Sequence, residues 1–173
     1  MRDVISSVET EFQKYKALAE NATKQLDDSQ LAVAGNATES NSVAVLVWHI
    51  SGNLTSRFTD FLTSDGEKPW RHRDEEFVRR QVSRVEMLEK WERGWKVLFE
   101  SLAPLTDADL GRQVTIRKEP CSVIDALHRA LAHISYHVGQ IVLLSKVARG
   151  DDWHNLSVPL GQSEQFNSQF KKT

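Results

Sequence analysis

The stretch 122–150, SVIDALHRALAHISYHVGQIVLLSKVARG, contains the clearest helix signal in the sequence. Ser122 and Asp125 have the spacing of a capping box at its start, and Arg149-Gly150 supplies a cation and a C-cap glycine at its end. Its apolar residues recur three or four positions apart, as on one face of an α-helix: Val123, Leu127, Ala130, Ile134, Val138, Ile141 and Leu144. We therefore predict one long amphipathic helix here.

Three further stretches have the same periodicity. They are Val4–Leu26, a segment that begins at the N-cap Ser42 and runs through Leu62 to a stop at Asp65-Gly66, and Ser83–Leu102. Each of the four predicted helices has one apolar stripe, and four such helices can bury their stripes against one another. The sequence therefore predicts an all-α fold, a four-helix bundle.

The connections between these helices are long. The acidic stretch 27–29 ends the first helix, and a polar connection follows that contains Gly35, Asn36, Ser40 and Asn41. The charged connection 67–80 contains the segment Arg71–Glu76, which we interpret as solvated, with a lid or a partner-binding loop as alternatives. The helical period is lost between Asp109 and Pro120, where residues 114–116 predict a short extended piece. The tail 151–173 is rich in aromatic residues, so we expect it to pack on the bundle.

Length and composition fit one ordinary domain, which we assign to residues 1–173. The single cysteine excludes an intramolecular disulfide and suits a reducing compartment. The first residues do not form a secretory signal, and no stretch approaches the roughly 20 apolar residues of a membrane span. A net charge of −2 with scattered basic residues argues against nucleic acid as a partner. We therefore expect a cytoplasmic protein that binds neither membranes nor nucleic acid.

Two histidines of the last predicted helix point to a metal site. His133 and His137 are four residues apart, so they project from one face about one turn apart. Two imidazoles at this spacing can bind one ion, with Zn–N bonds of about 2.0–2.1 Å. A third ligand has to come from another helix. We predict His49, which lies beside Trp48 and Ile50 at the edge of the apolar stripe of the second helix.

The remaining histidines and the cysteine are poor candidates for ligands. His128 lies on the opposite face of the last helix, since nine residues separate it from His137. His72 falls in the charged connection and His154 in the tail. Cys121 is roughly 18 Å from the histidine pair along the helix axis. The residues alone leave a second interpretation open, in which the paired histidines only form hydrogen bonds with neighbours or water.

The segments VWHISGNL (47–54) and AHISYHVGQI (132–141) resemble those of the DinB/YfiT-like bacterial superfamily. KPWR (68–71) and GQSEQFN (161–167) are similar to segments of one branch of it, the uncharacterised DinB-like proteins. The resemblance extends over nearly the whole chain. It implies a four-helix bundle, often dimeric, with one metal-binding histidine on the second helix and two on the fourth. The residues at these positions are His49, His133 and His137.

Such a site implies one divalent metal ion as cofactor, with Zn or Ni as first candidates and Fe or Mn as alternatives. Three imidazoles leave coordination positions open for water or substrate, as in catalytic zinc sites. The characterised proteins that this chain resembles include thiol-dependent transferases and isomerases, and metal-dependent hydrolases. We therefore expect a homodimeric enzyme that acts on a small molecule, with a low-molecular-weight thiol or water as nucleophile. No catalytic residue beyond the ligands can be assigned.

Several other residues have both a functional and a structural interpretation. Asn53 and Arg57 lie four and eight positions after His49, so they share its face, where they could bind an anionic group or form a solvated edge. Gln140 could lie beside the site or on the surface. Trp91 and Trp95 could line a pocket, although aromatic residues at helical spacing are more often core.

Two other classes of protein remain open. One is a non-enzymatic, stress-associated dimer whose metal site is structural or vestigial. The other is a module that binds a small molecule without turnover. A di-iron bundle is disfavoured, because the sequence contains no Glu-x-x-His motif.

Overall fold

The structure is a computed structural model that describes residues 1–35 and 40–169. Asn36 of the predicted polar connection and residues 170–173 of the predicted tail lie outside this range. The described chain is mostly helical, with six α-helices and one two-stranded antiparallel sheet. The predicted helical character is confirmed, and a small hairpin accompanies the helices.

The long helix α5 spans Val123–Arg149 and begins as predicted. The Ser122 hydroxyl accepts a hydrogen bond from the Asp125 backbone N–H, and the Asp125 carboxylate accepts one from the Ser122 N–H, so the capping box is formed. Gly150 follows the helix with a φ of 62°, which only glycine adopts at low cost.

The first helix is shorter than predicted. Helix α1 spans Asp3–Thr23 and ends three residues before Leu26. The acidic stretch that was expected to lead into a polar connection instead begins a second, short helix, α2, at Asp28–Leu31. Asp27 and Gln30 form a capping box there, which explains why so short a sequence becomes helical.

Helix α3 spans Val43–Phe58, with the Ser42 hydroxyl as its N-cap. It ends well before the predicted stop at Asp65-Gly66. Thr59 is extended and Asp60 has a φ of 49°, a value that breaks a right-handed helix. Gly66 instead contacts the hairpin, since its backbone N–H donates to the Thr115 carbonyl over 2.8 Å.

Helix α4 spans Arg84–Leu102, close to the predicted bounds, and the Ser83 hydroxyl caps its start. The predicted extended piece is strand β1, Gln113–Ile116, which pairs with β2, Glu119–Ser122. Strand β2 leads directly into α5. A 3₁₀ turn at Arg73–Phe77 interrupts the charged connection before α4.

The four long helices surround the core. Helix α3 packs on α4 and α5, and α1 packs on α5 and α4. At Gly94 the helices α3 and α4 approach closely, since a Cβ there would lie 2.7 Å from the Ser51 Cα. The largest fully buried side chains come from all four of these helices and from α2: Trp95, Phe12, Ile5, Leu31, Leu46, Ile50, Leu54, Met87, Leu98, Leu102, Leu127 and Ile134.

The first part of the tail contacts the core. Trp153 and Leu156 pack against it, and the backbone of His154 exchanges two hydrogen bonds with the Gln25 side chain. The last helix, α6 (Ser163–Ser168), is exposed. No helix in the described ranges is both long enough and apolar enough to cross a membrane.

Candidate metal centre

The three predicted histidines meet in the structure. His49 comes from the middle of α3, and His133 and His137 come from consecutive turns of α5. The Nε2 atoms of His49 and His133 are 3.1 Å apart. One ring nitrogen from each of the three side chains lies within 4.8 Å of the other two. The helices therefore bring together three imidazoles that are far apart in the sequence.

Burial keeps two of these histidines uncharged. It lowers the pKa of His133 to about 3, with further contributions from the neighbouring His137, His49 and two arginines. Burial also lowers the pKa of His137, against a hydrogen bond with Gln140 that acts in the opposite direction. Metal ions bind the neutral form of imidazole, so both side chains are in the form that ligation requires at neutral pH.

A buried carboxylate orients His49. Glu76 Oε2 lies 2.9 Å from His49 Nδ1, and Glu76 is 8% exposed. Burial alone would raise the pKa of Glu76, but hydrogen bonds with His49 and Arg71 outweigh burial and lower it. The ionised carboxylate accepts the Nδ1 proton of His49, so the lone pair of Nε2 faces the other two histidines.

Arg71 holds this carboxylate in turn. Its Nε donates to Glu76 Oε1 over 2.8 Å and its Nη2 donates to Oε2 over 2.9 Å, a bidentate pair. The Arg71 side chain is only 2% exposed. The interpretation of Arg71–Glu76 as a solvated segment is therefore wrong at both ends, although the four residues between them are exposed.

One of the two α5 histidines has a hydrogen-bond partner on the same helix. His137 Nδ1 lies 2.8 Å from Gln140 Oε1, so the glutamine that had two interpretations lies beside the site. His133 Nδ1 is buried without a hydrogen-bond partner among the described residues.

The histidines and the cysteine that the sequence disfavoured lie outside the cluster. His72, His128 and His154 are exposed. Cys121 is half-buried, and burial together with the nearby Asp125 raises the pKa of its thiol. A raised pKa disfavours the thiolate that metal binding or nucleophilic attack would need.

The donor set suits a divalent ion. Two ligands of a tetrahedral zinc site with Zn–N bonds of about 2.0–2.1 Å lie about 3.3–3.4 Å from each other, close to the 3.1 Å between His49 and His133. A carboxylate on the second ring nitrogen of a ligating histidine is a recurrent partner in zinc sites, and Glu76 occupies that position on His49. The nitrogen distances, the neutral form of His133 and His137, and the carboxylate partner of His49 therefore fit a metal ion.

A cavity of about 350 Å³ opens onto the three histidines. Helix α3 contributes Asn53 and Arg57 to its wall, one and two turns after His49, so both residues that share the face of this ligand line the cavity. Helix α5 contributes Ala126 and Ala130, whose small side chains leave room in front of the histidines. Trp91 and Trp95 are core residues, 3% and 0% exposed.

Sequence reasoning missed Glu76 and Arg71. Their signal was weak, because an Arg and a Glu in a run of charges are usually solvated. The only local cue was Gly52, one turn after His49. A Cβ at Gly52 would lie 2.1 Å from Glu76 Oε1, so the glycine leaves space for the carboxylate.

Fold and site together define a helical protein with a three-histidine candidate metal centre at the base of a cavity. The chain belongs to the family described as "Protein of unknown function (DUF1572)", which matches residues 1–162. A comparison with curated proteins finds no match.

Proposed function

We propose that this protein is a metal-dependent enzyme that acts on a small molecule, with one divalent ion held by His49, His133 and His137. The observation that supports this proposal most directly is the position of the three imidazoles at an open cavity. A closed structural site is surrounded by protein, whereas a catalytic site needs access for a substrate. Zn or Ni are the first candidates for the ion, and Fe or Mn are alternatives.

The expected chemistry is the transfer of a thiol or the addition of water to an electrophilic substrate. A divalent ion at such a site acts as a Lewis acid that favours the deprotonated form of a water molecule or thiol. The chain itself orients His49 through Glu76 and orients His137 through Gln140. Its cavity wall binds the rest of the substrate and positions it at the histidines.

We also propose that the family is part of the DinB/YfiT-like superfamily and that residues 1–173 form one domain built on a four-helix bundle. The pairwise packing of α1, α3, α4 and α5 supports this arrangement. The single cysteine, Cys121, favours a reducing compartment such as the cytoplasm.

A homodimer is the expected assembly. Tyr136, Leu143 and Val147 lie on one face of α5, because they are seven and four residues apart, and they are 63%, 62% and 68% exposed. An exposed apolar stripe on a long helix favours contact with a second copy. Sedimentation of wild type and Leu143→Glu tests this point. A dimer that dissociates in the variant supports it, and a monomeric wild type contradicts it.

Replacement of the native ion by Co(II) tests the catalytic proposal. The protein is loaded with Co(II), its visible spectrum is recorded, and a small thiol such as 2-mercaptoethanol is added. We expect the thiol to change the spectrum, because the site has an open position. His128→Ala is the matched control, since this histidine is exposed on the same helix as two of the ligands.

The same experiment separates the catalytic from the structural alternative. Loaded protein whose spectrum does not respond to thiol, azide or a change of pH would indicate a closed site and contradict the proposal. A response to thiol justifies a screen for thiol transfer to electrophiles, with the ligand variant His137→Ala as the inactive reference.

A further inference from the structure

The cavity at the three histidines is strongly basic. Among the described residues no Asp or Glu side chain contributes to its wall, whereas five arginines do, from four segments of the chain: Arg57, Arg71, Arg73, Arg117 and Arg129. Three carboxylates outside the wall offset part of this charge. Glu76 pairs with Arg71, Glu67 pairs with Arg57 and Arg117, and Asp74 lies 3.9 Å from Arg73. Five positive charges against three negative ones leave an excess of two.

Arg57 is the most informative of these arginines. Its side chain is 10% exposed, and its Nη1 atom is buried without a hydrogen-bond partner among the described residues. Its Nη2 lies 3.3 Å from Glu67 Oε2, a long contact on one side of the guanidinium. Burial lowers the pKa of Arg57, and so do the nearby Arg71, Arg117 and Arg129. Arg57 is a buried cation near three other cations, and one of its hydrogen-bond donors has no partner, so a bound anion would stabilise it.

A second arginine has the same deficiency. Arg71 Nη1 is also buried without a hydrogen-bond partner among the described residues, and it lies 4.0 Å from Glu67 Oε1. Arg129 forms no ion pair with any residue in ranges 1–35 and 40–169. Guanidinium groups with free donors on one cavity wall match the oxygens of a carboxylate or a phosphate.

Another part of the cavity wall is apolar. Phe58, Phe61 and Phe77 line it, together with Ile116 of the hairpin. The Phe77 ring is stacked by the Arg73 guanidinium, whose central carbon lies 4.9 Å from the ring centre. The volume of about 350 Å³ falls within the usual range of about 300–1,000 Å³ for small-molecule sites. It accommodates one small ligand with an apolar body.

We infer that the substrate is a small amphiphilic anion, whose carboxylate or phosphate is bound by Arg57 with Arg71 and Arg129, and whose apolar part contacts the phenylalanines. This inference rests on the proposed function only in assigning the cavity to the substrate. The anion site itself is built from arginines and does not require the metal ion. The arginines place one end of the substrate, so the reacting group lies toward the histidines.

Binding of two probes of equal shape and different charge tests the inference. Phenylacetate and the neutral phenylacetamide are titrated into the protein by calorimetry, both as purified and after the metal has been removed by chelation and dialysis. We expect phenylacetate to bind at least about tenfold more tightly than phenylacetamide in both forms of the protein. A tenfold difference is the gain in affinity that one charge-assisted hydrogen bond typically gives. Tighter binding of phenyl phosphate than of phenylacetate would identify a phosphate monoester, and the reverse order a carboxylate.

Matched arginine variants locate the site. Arg57→Gln is expected to weaken phenylacetate binding at least about tenfold and to leave phenylacetamide unchanged, since only the charged donor is lost. Arg112→Gln is the control, because Arg112 pairs with Asp109 outside the cavity, and its affinities should stay within about twofold of wild type. Arg129→Gln replaces Arg57→Gln if circular dichroism shows that the latter does not fold.

Equal affinity for the charged and neutral probes, or an unchanged affinity in a folded Arg57→Gln or Arg129→Gln variant, would overturn the inference. The result is independent of the metal proposal. Phenylacetate binding in a protein that never binds metal would support the anion site and contradict the metal-dependent enzyme. Metal binding without any preference for the anion would do the opposite.

Discussion

The contact between Glu76 and His49 can be broken without touching either residue. Gly52 lies one turn after His49 on α3, and a Cβ at this position would come within 2.1 Å of Glu76 Oε1 and 2.7 Å of its Cδ. Both distances are far below van der Waals contact. Gly52→Ala therefore forces the carboxylate away from His49 Nδ1, to which it is now 2.9 Å distant.

The expected loss of metal affinity follows from the role of the carboxylate that orients a metal-binding histidine. Removal of the group that orients a metal-ligating histidine typically costs about 10- to 100-fold in metal affinity. This factor corresponds to about 1.4–2.8 kcal/mol at 25 °C. We expect Gly52→Ala to lose metal affinity by this factor while its three histidines remain in place.

Competition against a chromogenic zinc chelator measures this affinity. Gly139→Ala is the matched control: it introduces the same methyl group on α5, two residues after His137, but nothing lies within 4 Å of its Cβ. The control should bind metal like wild type. Circular dichroism and denaturant unfolding establish that both variants fold. Wild-type affinity in a folded Gly52→Ala variant would refute the reasoning, because Glu76 would then contribute nothing to the site.

Three further predictions concern packing and the thiol. Gly94→Ala should lower the free energy of unfolding by about 1–3 kcal/mol, because its Cβ would lie 2.7 Å from the α3 backbone. Gly139→Ala, with nothing near its Cβ, should raise the free energy of unfolding by about 0.5–1 kcal/mol. Urea unfolding measures both values, and equal effects would contradict the close contact of α3 with α4. In the same assay, Trp95→Ala should lower the free energy of unfolding by about 3–5 kcal/mol. Trp70→Ala should lower it by less than about 0.5 kcal/mol, because the Trp70 side chain is 50% exposed. Similar losses in the two variants would contradict the described core. The raised pKa of Cys121 keeps its thiol protonated at neutral pH, so alkylation by iodoacetamide should be slower than that of a free cysteine. The rate, followed by mass spectrometry, should increase as the pH rises through the thiol pKa. A fast reaction at pH 7 would contradict the described environment of Cys121.

Helix positions were predictable wherever one apolar stripe and a local cap agreed. The capping box of Ser122 and Asp125 and the N-cap Ser42 are local signals, and both form as expected. The end of α3 was not predictable in this way. Phe61 continues the helical period of the sequence, but it lies in a turn after the helix. The turn begins at Asp60, which has a positive φ, and it still buries the Phe61 side chain. Periodicity alone cannot tell these two ways of burying a side chain apart.

The site was predictable only in part, for a similar reason. Two of its histidines are one turn apart on one helix, and such a spacing is visible in any sequence. The meeting of α3 with α5, which adds His49, is a tertiary contact. The positions of Glu76 and Arg71 depend on how a connection without long regular structure folds back over α3, and neither hydrophobic periodicity nor a cap specifies that path.

The basic wall of the cavity also depends on tertiary contacts. Asp65 accepts hydrogen bonds from the backbone N–H groups of Arg117 and Lys118 at the hairpin turn, which brings Arg117 to the cavity beside Arg57. In the sequence these residues are dispersed, and the net charge of −2 gives no indication of a local positive excess. A near-neutral chain can therefore contain a strongly basic cavity.

Metal content of the purified, untagged protein tests the central claim most directly. Elemental mass spectrometry of wild type, His133→Ala and His128→Ala measures the number of ions per chain, and the last variant controls for loss of a histidine from the same helix. The account predicts about one divalent ion per chain in wild type and in His128→Ala, and none in His133→Ala. No metal in wild type after incubation with Zn and Ni, or an unchanged content in His133→Ala, would contradict it.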